Sequence, residues 1–153
     1  MWVKTLLILG LLAAIPGLAS DAGRSYIVGE RSPTRAPLPF SEGVMVGDTL
    51  YVAGHIGLDP ATSQAPANAE VEARLVMDAV KTTVEKAGLK MDDLVTVTVF
   101  CTDLGLYDTF NGVYRTYFQG QYPARAFIGA ATLLRGGHYE VLGVAIRSSQ
   151  KKN

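Results

Sequence analysis

The chain has 153 residues, 48% of them hydrophobic, and its 14 basic side chains are balanced by 14 acidic ones. That apolar content excludes disorder over most of the length and provides for one core. The balance of charge, with no long run of one sign, argues against a nucleic-acid surface built on a basic field. A single cysteine excludes an intrachain disulfide, and beside only two histidines it supports a zinc site poorly, so no metal is expected.

At the N-terminus, Met1, Trp2, Val3 and Lys4 lead into an apolar run over residues 5–14, followed by Pro16, Gly17, Leu18, Ala19 and Ser20. One charge, a short apolar centre and small residues after it read as a signal peptide over residues 1–22, with an uncleaved anchor as the alternative. The run is short for a membrane span. The mature protein is therefore expected to be periplasmic or secreted, without stable membrane association. Residues 23–37, which include Pro33 and Pro37, read as a polar, extended lead-in, and residues 38–149 as one domain.

Within that domain, residues 43–46 and 49–54 flank Gly47-Asp48, the signal of a hairpin. Residues 58–63 carry loop chemistry. Asn68 is placed to cap a helix whose apolar stripe is Val71, Leu75, Val76, Ala79, Val80, Val84 and Ala87, with Gly88 as its stop. Residues 94–102 form a strand, where Cys101 shares a face with Val95, Val97 and Val99 and reads as a buried small hydrophobe. A second helix is predicted over 106–118, with Phe110, Val113, Tyr114, Tyr117 and Phe118 largely on one side. Residues 125–131 and 139–147 are the last strands. The order of elements predicts an α+β domain with one sheet of five or six strands and both helices on a single face. Strands apolar on both sides imply that the other face is covered, most economically by a second copy.

Two charges stand out against this apolar background. Arg125 sits in a strand that starts after Pro123, and a permanent cation there is costly unless an anion meets it. Its planar fork suits a carboxylate. Glu140 opens the last strand. The two side chains could pair with each other, or they could be parts of a small site for an anionic substrate. His55, at a strand end, could line a cleft; His138, after Gly136-Gly137, reads as a solvated loop residue.

Further motifs narrow the choice. Gly47 to Pro60 (Gly-Asp-Thr-Leu-Tyr-Val-Ala-Gly-His-Ile-Gly-Leu-Asp-Pro), Ala87-Gly88-Leu89 with the strand from Leu94 to Phe100, and Tyr122-Pro123-Ala124-Arg125 together resemble the reactive-intermediate deaminase family, also called Rid or YjgF-like. The resemblance runs from about Leu38 to Arg147. It implies a chorismate-mutase-like α+β fold, with one mixed sheet and two helices on one face, and a homotrimer with sites in clefts between subunits. It also implies hydrolysis of 2-enamine and 2-imine acids to 2-keto acids and ammonia without a metal or organic cofactor. RNA cleavage, which the family name has sometimes carried, is a rival against which the balanced charge and the export signal weigh, so no nucleic-acid partner is expected. By the same resemblance, Arg125 would clamp the substrate carboxylate and Glu140 would stand near the reacting water. Gly54 would offer its backbone N–H, and Asn111 would be either a site residue or a structural hydrogen-bond partner. Three positions depart from the family pattern: Phe40 replaces a tyrosine, Ala53 a serine and Phe127 a cysteine. Phe127 keeps its N–H, although its ring would narrow the cleft. These departures leave open an alternative, a diverged non-catalytic binder of small carboxylates.

Overall fold

The computed structural model describes residues 23–29 and 38–148. The signal-peptide reading of residues 1–22 falls outside that range, as does the lead-in over residues 30–37.

Six strands form one mixed sheet in the order β1-β2-β3-β6-β4-β5. The strands are β1 (Arg24–Ile27), β2 (Gly43–Val46), β3 (Thr49–Ile56), β4 (Leu94–Cys101), β5 (Ala124–Gly129) and β6 (Tyr139–Ile146). Every neighbouring pair is antiparallel except β4 and β5. Helices α1 (Ala69–Lys86) and α2 (Tyr107–Tyr114) cover one face. β1 lies inside the stretch read as lead-in; it is short and mostly exposed, so it carries no period-two burial signal.

Local chemistry explains most boundaries. Gly47, at φ +58°, makes the tight turn between β2 and β3. The Asn68 side chain accepts from the N–H groups of Glu70 (3.0 Å) and Val71 (3.1 Å), capping α1. Gly88, at φ +72°, follows its last turn. The buried stripe of α1 differs from the predicted one. It consists of Glu72, Ala73, Val76, Met77, Val80, Thr83 and Val84, while Val71 is exposed. The predicted helix over 106–118 is divided into a 3-10 turn (Leu104–Leu106), α2 and a second 3-10 turn (Arg115–Tyr117). In that last turn the Thr116 hydroxyl donates to the Val113 carbonyl at 2.7 Å, competing with the regular helix pattern.

Two irregularities in strand pairing decide which side chains enter the core. One, between Val52 and His55, moves His55 from the open face to the helix side, opposite Val141. Its Nε2 there meets the Thr83 hydroxyl at 3.1 Å. The expectation that His55 lines a cleft is thereby corrected. The other, between Leu94 and Thr96, buries Leu94 and leaves Val95 exposed, so Val95 does not share the face of Val97, Val99 and Cys101. Leu50, Val52, Val97, Val99, Tyr139 and Val141 from the sheet meet Val76, Met77, Val80, Phe110 and Val113 from the helices in one core. The opposite face exposes Tyr26, Val46, Tyr51, Ile128 and Ile146.

Candidate functional site

Arg125 alternates with the exposed Ala124 and Ala126, which points its side chain to the helix side of β5, in register with buried Val97 of β4. Its Nη2 donates to Oδ1 of Asn111, a buried residue of α2, at 2.7 Å. The guanidinium carbon lies 4.5 Å from the ring centre of Tyr114, 5.7 Å from those of Tyr107 and Phe127, and 5.9 Å from that of Phe110. Aromatic faces attract a cation but supply no countercharge. Among the described residues Arg125 forms no ion pair.

A cavity of about 240 Å³ opens beside it, lined by Tyr107, Asn111, Tyr114, Arg115, Tyr122, Pro123 and Arg125. The hydroxyl of one lining residue, Tyr114, is buried without a hydrogen-bond partner among the described residues. Burial pushes its phenol up to about 12, against a weaker downward pull from Arg125, so it stays a neutral donor at ordinary pH.

Glu140 lies elsewhere. Its neighbours Tyr139 and Val141 are buried on the helix side, so Glu140 projects from the open face of β6, between Ile56 of β3 and Phe100 of β4. Gly54 lies against it: a Cβ at that position would meet the Glu140 carboxylate, so a larger residue there would require that side chain to shift. Ala53 is half-buried next to Gly54, and Phe40 is 58% exposed. The Phe127 ring packs edge-on to Tyr107 (5.0 Å) and against Phe110 (5.6 Å), so it joins the wall around the guanidinium.

The candidate residues therefore form two groups on opposite faces of the sheet. Arg125, Asn111 and Phe127 are on the helix side, and Gly54 and Glu140 are on the open side. The reading of Arg125 and Glu140 as an ion pair within the chain is overturned by this alternation.

A second correction concerns His138. Its Nδ1 is 2.5 Å from Oε2 of Glu72, a fully buried residue of α1. Oε1 of the same carboxylate accepts from the backbone N–H groups of His138 (2.6 Å) and Tyr139 (2.9 Å). His138 is thus anchored rather than solvated. Glu72 was not singled out from the sequence, although its position one turn before Val76 and two before Val80 was the available signal. Tyr107, Tyr114 and Arg115 are further lining residues with no sequence signal for a site: Tyr107 and Tyr114 open and close α2, Tyr114 reads as part of its apolar side, and Arg115 follows it. Cys101 is fully buried, its thiol raised by that burial, and donates to the Asp103 carbonyl at 3.0 Å. Among the described residues, no group of three or more His, Cys, Asp and Glu side chains could hold a metal ion.

On this α+β domain an edge strand presents to a small cavity a guanidinium with no ion pair among the described residues, an arrangement chemically suited to a small anion. The comparisons place it more closely. The model of the Endoribonuclease L-PSP family matches residues 31–147. A mouse 2-iminobutanoate/2-iminopropanoate deaminase is 36% identical over 120 residues, covering 76% of this chain and 89% of that protein. The Escherichia coli K12 protein of the same name is 36% identical over 112 residues, covering 71% of this chain and 88% of its own length. Among solved structures, E. coli TdcF with bound serine superposes with a TM-score of 0.72 at 34% identity, covering 81% of this chain and all of that one. The E. coli YjgF gene product gives 0.72 at 35% identity, covering 81% and 99%. This chain belongs to the Endoribonuclease L-PSP (YjgF/Rid) family.

Proposed function

We propose that the protein hydrolyses 2-imino acids and their enamine tautomers, of the 2-aminoacrylate and 2-iminopropanoate type, to 2-keto acids and ammonia. The observation that carries this reading is Arg125: a half-buried cation, held by a neutral amide and aromatic rings, with no carboxylate of its own. An anionic ligand would complete it. The deaminase names of relatives at about this identity, and the serine bound in TdcF, support a small substrate bearing a carboxylate.

In this mechanism Arg125 grips the substrate carboxylate, with the Phe127 and Gly54 N–H groups assisting, and so fixes the adjacent C=N carbon. Water adds to that carbon as the nitrogen gains a proton. The C–N bond then breaks, ammonia leaves and a C=O remains. Glu140 takes the proton from the water and returns it to the departing nitrogen. The separation of Arg125 from Glu140 within one chain supports a complete site that draws Glu140 and Gly54 from a neighbouring copy. A homotrimer with clefts between subunits meets that need, and the exposed apolar residues on the open face of the sheet offer it a contact surface. Positioning does much of the work, because imines already hydrolyse in water.

The test is ammonia or keto-acid release from freshly generated 2-iminopropanoate, with wild type, Arg125→Ala and Glu140→Gln. Both variants should lose about 100-fold or more in kcat/KM, the scale of losing charge-assisted contacts worth ~3 kcal/mol. Equal rates for wild type and Arg125→Ala would dismiss the enzyme. A carboxylate binder without chemistry would lose keto-acid binding in Arg125→Ala while imine decay stayed at the solvent rate in all three proteins.

A further inference from the structure

A second arginine lines the cavity beside Arg125. Arg115, which opens the 3-10 turn after α2, lines it together with Asn111, Tyr107, Tyr114 and Tyr122. Arg115 forms no ion pair among the described residues, and neither does Arg125. Among the described residues, no carboxylate lines the cavity. The one buried polar side-chain atom lacking a partner among the described residues, the Tyr114 hydroxyl, belongs to this wall. Every charged group of the lining is a cation, and the neutral ones include three phenols able to donate. A single carboxylate on Arg125 would leave Arg115 and the Tyr114 hydroxyl unmet.

We infer that this cavity is a two-cation subsite that selects imino acids carrying a second, distal carboxylate, with Arg115 as the residue that determines the preference. The inference rests on the deaminase reading and gives it a substrate class: the imines of acidic four- and five-carbon amino acids, hydrolysed to the corresponding 2-keto diacids. Arg125 holds the carboxylate next to the reacting carbon. Arg115 meets the distal one. The cavity of about 240 Å³ is below the range usual for drug-sized ligands, as suits a metabolite of a few carbons. Because Arg115 is exposed, its contact is partly screened, so the selectivity it provides is modest.

The experiment compares kcat/KM for imines made in place by amino-acid oxidases from glutamate, aspartate and alanine, using full-length wild type, Arg115→Ala and Arg115→Glu. Wild type should favour the diacid imines, and Arg115→Ala should lower the diacid-to-monoacid ratio about tenfold, the low end for a charge-assisted contact. Arg115→Glu should lower it further, and circular dichroism should show both variants folded. An unchanged ratio in both variants, with activity present, overturns the subsite and leaves the deaminase reading intact. If wild type hydrolyses no imine, the deaminase reading falls. Calorimetric binding of 2-oxoglutarate against pyruvate then decides the subsite alone: preference for 2-oxoglutarate that Arg115→Ala removes supports it, and equal affinities overturn it.

Discussion

Glu72 and Arg125 are both charged side chains drawn away from water, the first fully and the second in part. Glu72 is met on every side: one oxygen by two backbone N–H groups, the other by the His138 ring. Arg125 is met by one neutral amide and four aromatic rings. The carboxylate ties α1 to the start of β6, and its hydrogen bonds are completed within the fold. The guanidinium is oriented, yet its countercharge is missing. Of two charges that both cost desolvation, the one without an ion pair among the described residues is the one to which we assign a ligand.

The sharpest way to break this contrast is to remove each charge and measure folding. Glu72→Ala should destabilise the domain by about 3–5 kcal/mol in urea unfolding, because it strands the His138 ring and two buried N–H groups. Arg125→Ala should stay within about 1 kcal/mol of wild type, since lost stacking on the rings is offset by relief of an unpaired cation. Comparable losses for both would remove the distinction.

A smaller effect should come from making one region resemble the other. Asn111→Asp keeps the shape of the side chain and hands Arg125 a carboxylate within the chain. Keto-acid binding by titration calorimetry should weaken about tenfold, because the substrate would compete with a built-in anion, while stability holds or rises. Unchanged affinity would mean that Arg125 does not grip the ligand.

The smallest effect concerns a group belonging to neither region. Burial lowers the pKa of His55, against a lesser upward pull from Glu42. Unfolding therefore takes up a proton below the ordinary histidine value. Stability should be full above about pH 6.5 and decline as pH falls toward the lowered folded value. Unfolding midpoints followed from about pH 7.5 down to pH 5.5 should show this slope, and His55→Gln should flatten it.

Much of this architecture could be read in advance where local chemistry decides. The Gly47 turn, the Asn68 cap, the Gly88 stop and the alternation of β6 each depend on residues adjacent in the chain. Arg125 was legible for the same reason, as a lone cation in an apolar strand. What escaped depends on distant partners. His55 and Val95 changed faces at irregularities set by pairing with β6, and a period-two count cannot anticipate those. Glu72 looked like a surface glutamate until β6 brought two N–H groups and an imidazole to it. Arg115 became interesting only when β5 placed Arg125 beside the same cavity. The alternation of β6 put Glu140 on one face with Leu142, Val144 and Ile146, but that Arg125 lies on the other face required the whole sheet.

The tyrosines around Arg125 have a practical consequence. Trp2 is the only tryptophan, and it precedes the domain, so a chain begun at residue 23 would fluoresce from its seven tyrosines alone. Three of these, Tyr107, Tyr114 and Tyr122, surround the cavity. Such a truncated protein carries its own optical probe, and quenching or enhancement of the tyrosine emission follows occupancy in real time without a label.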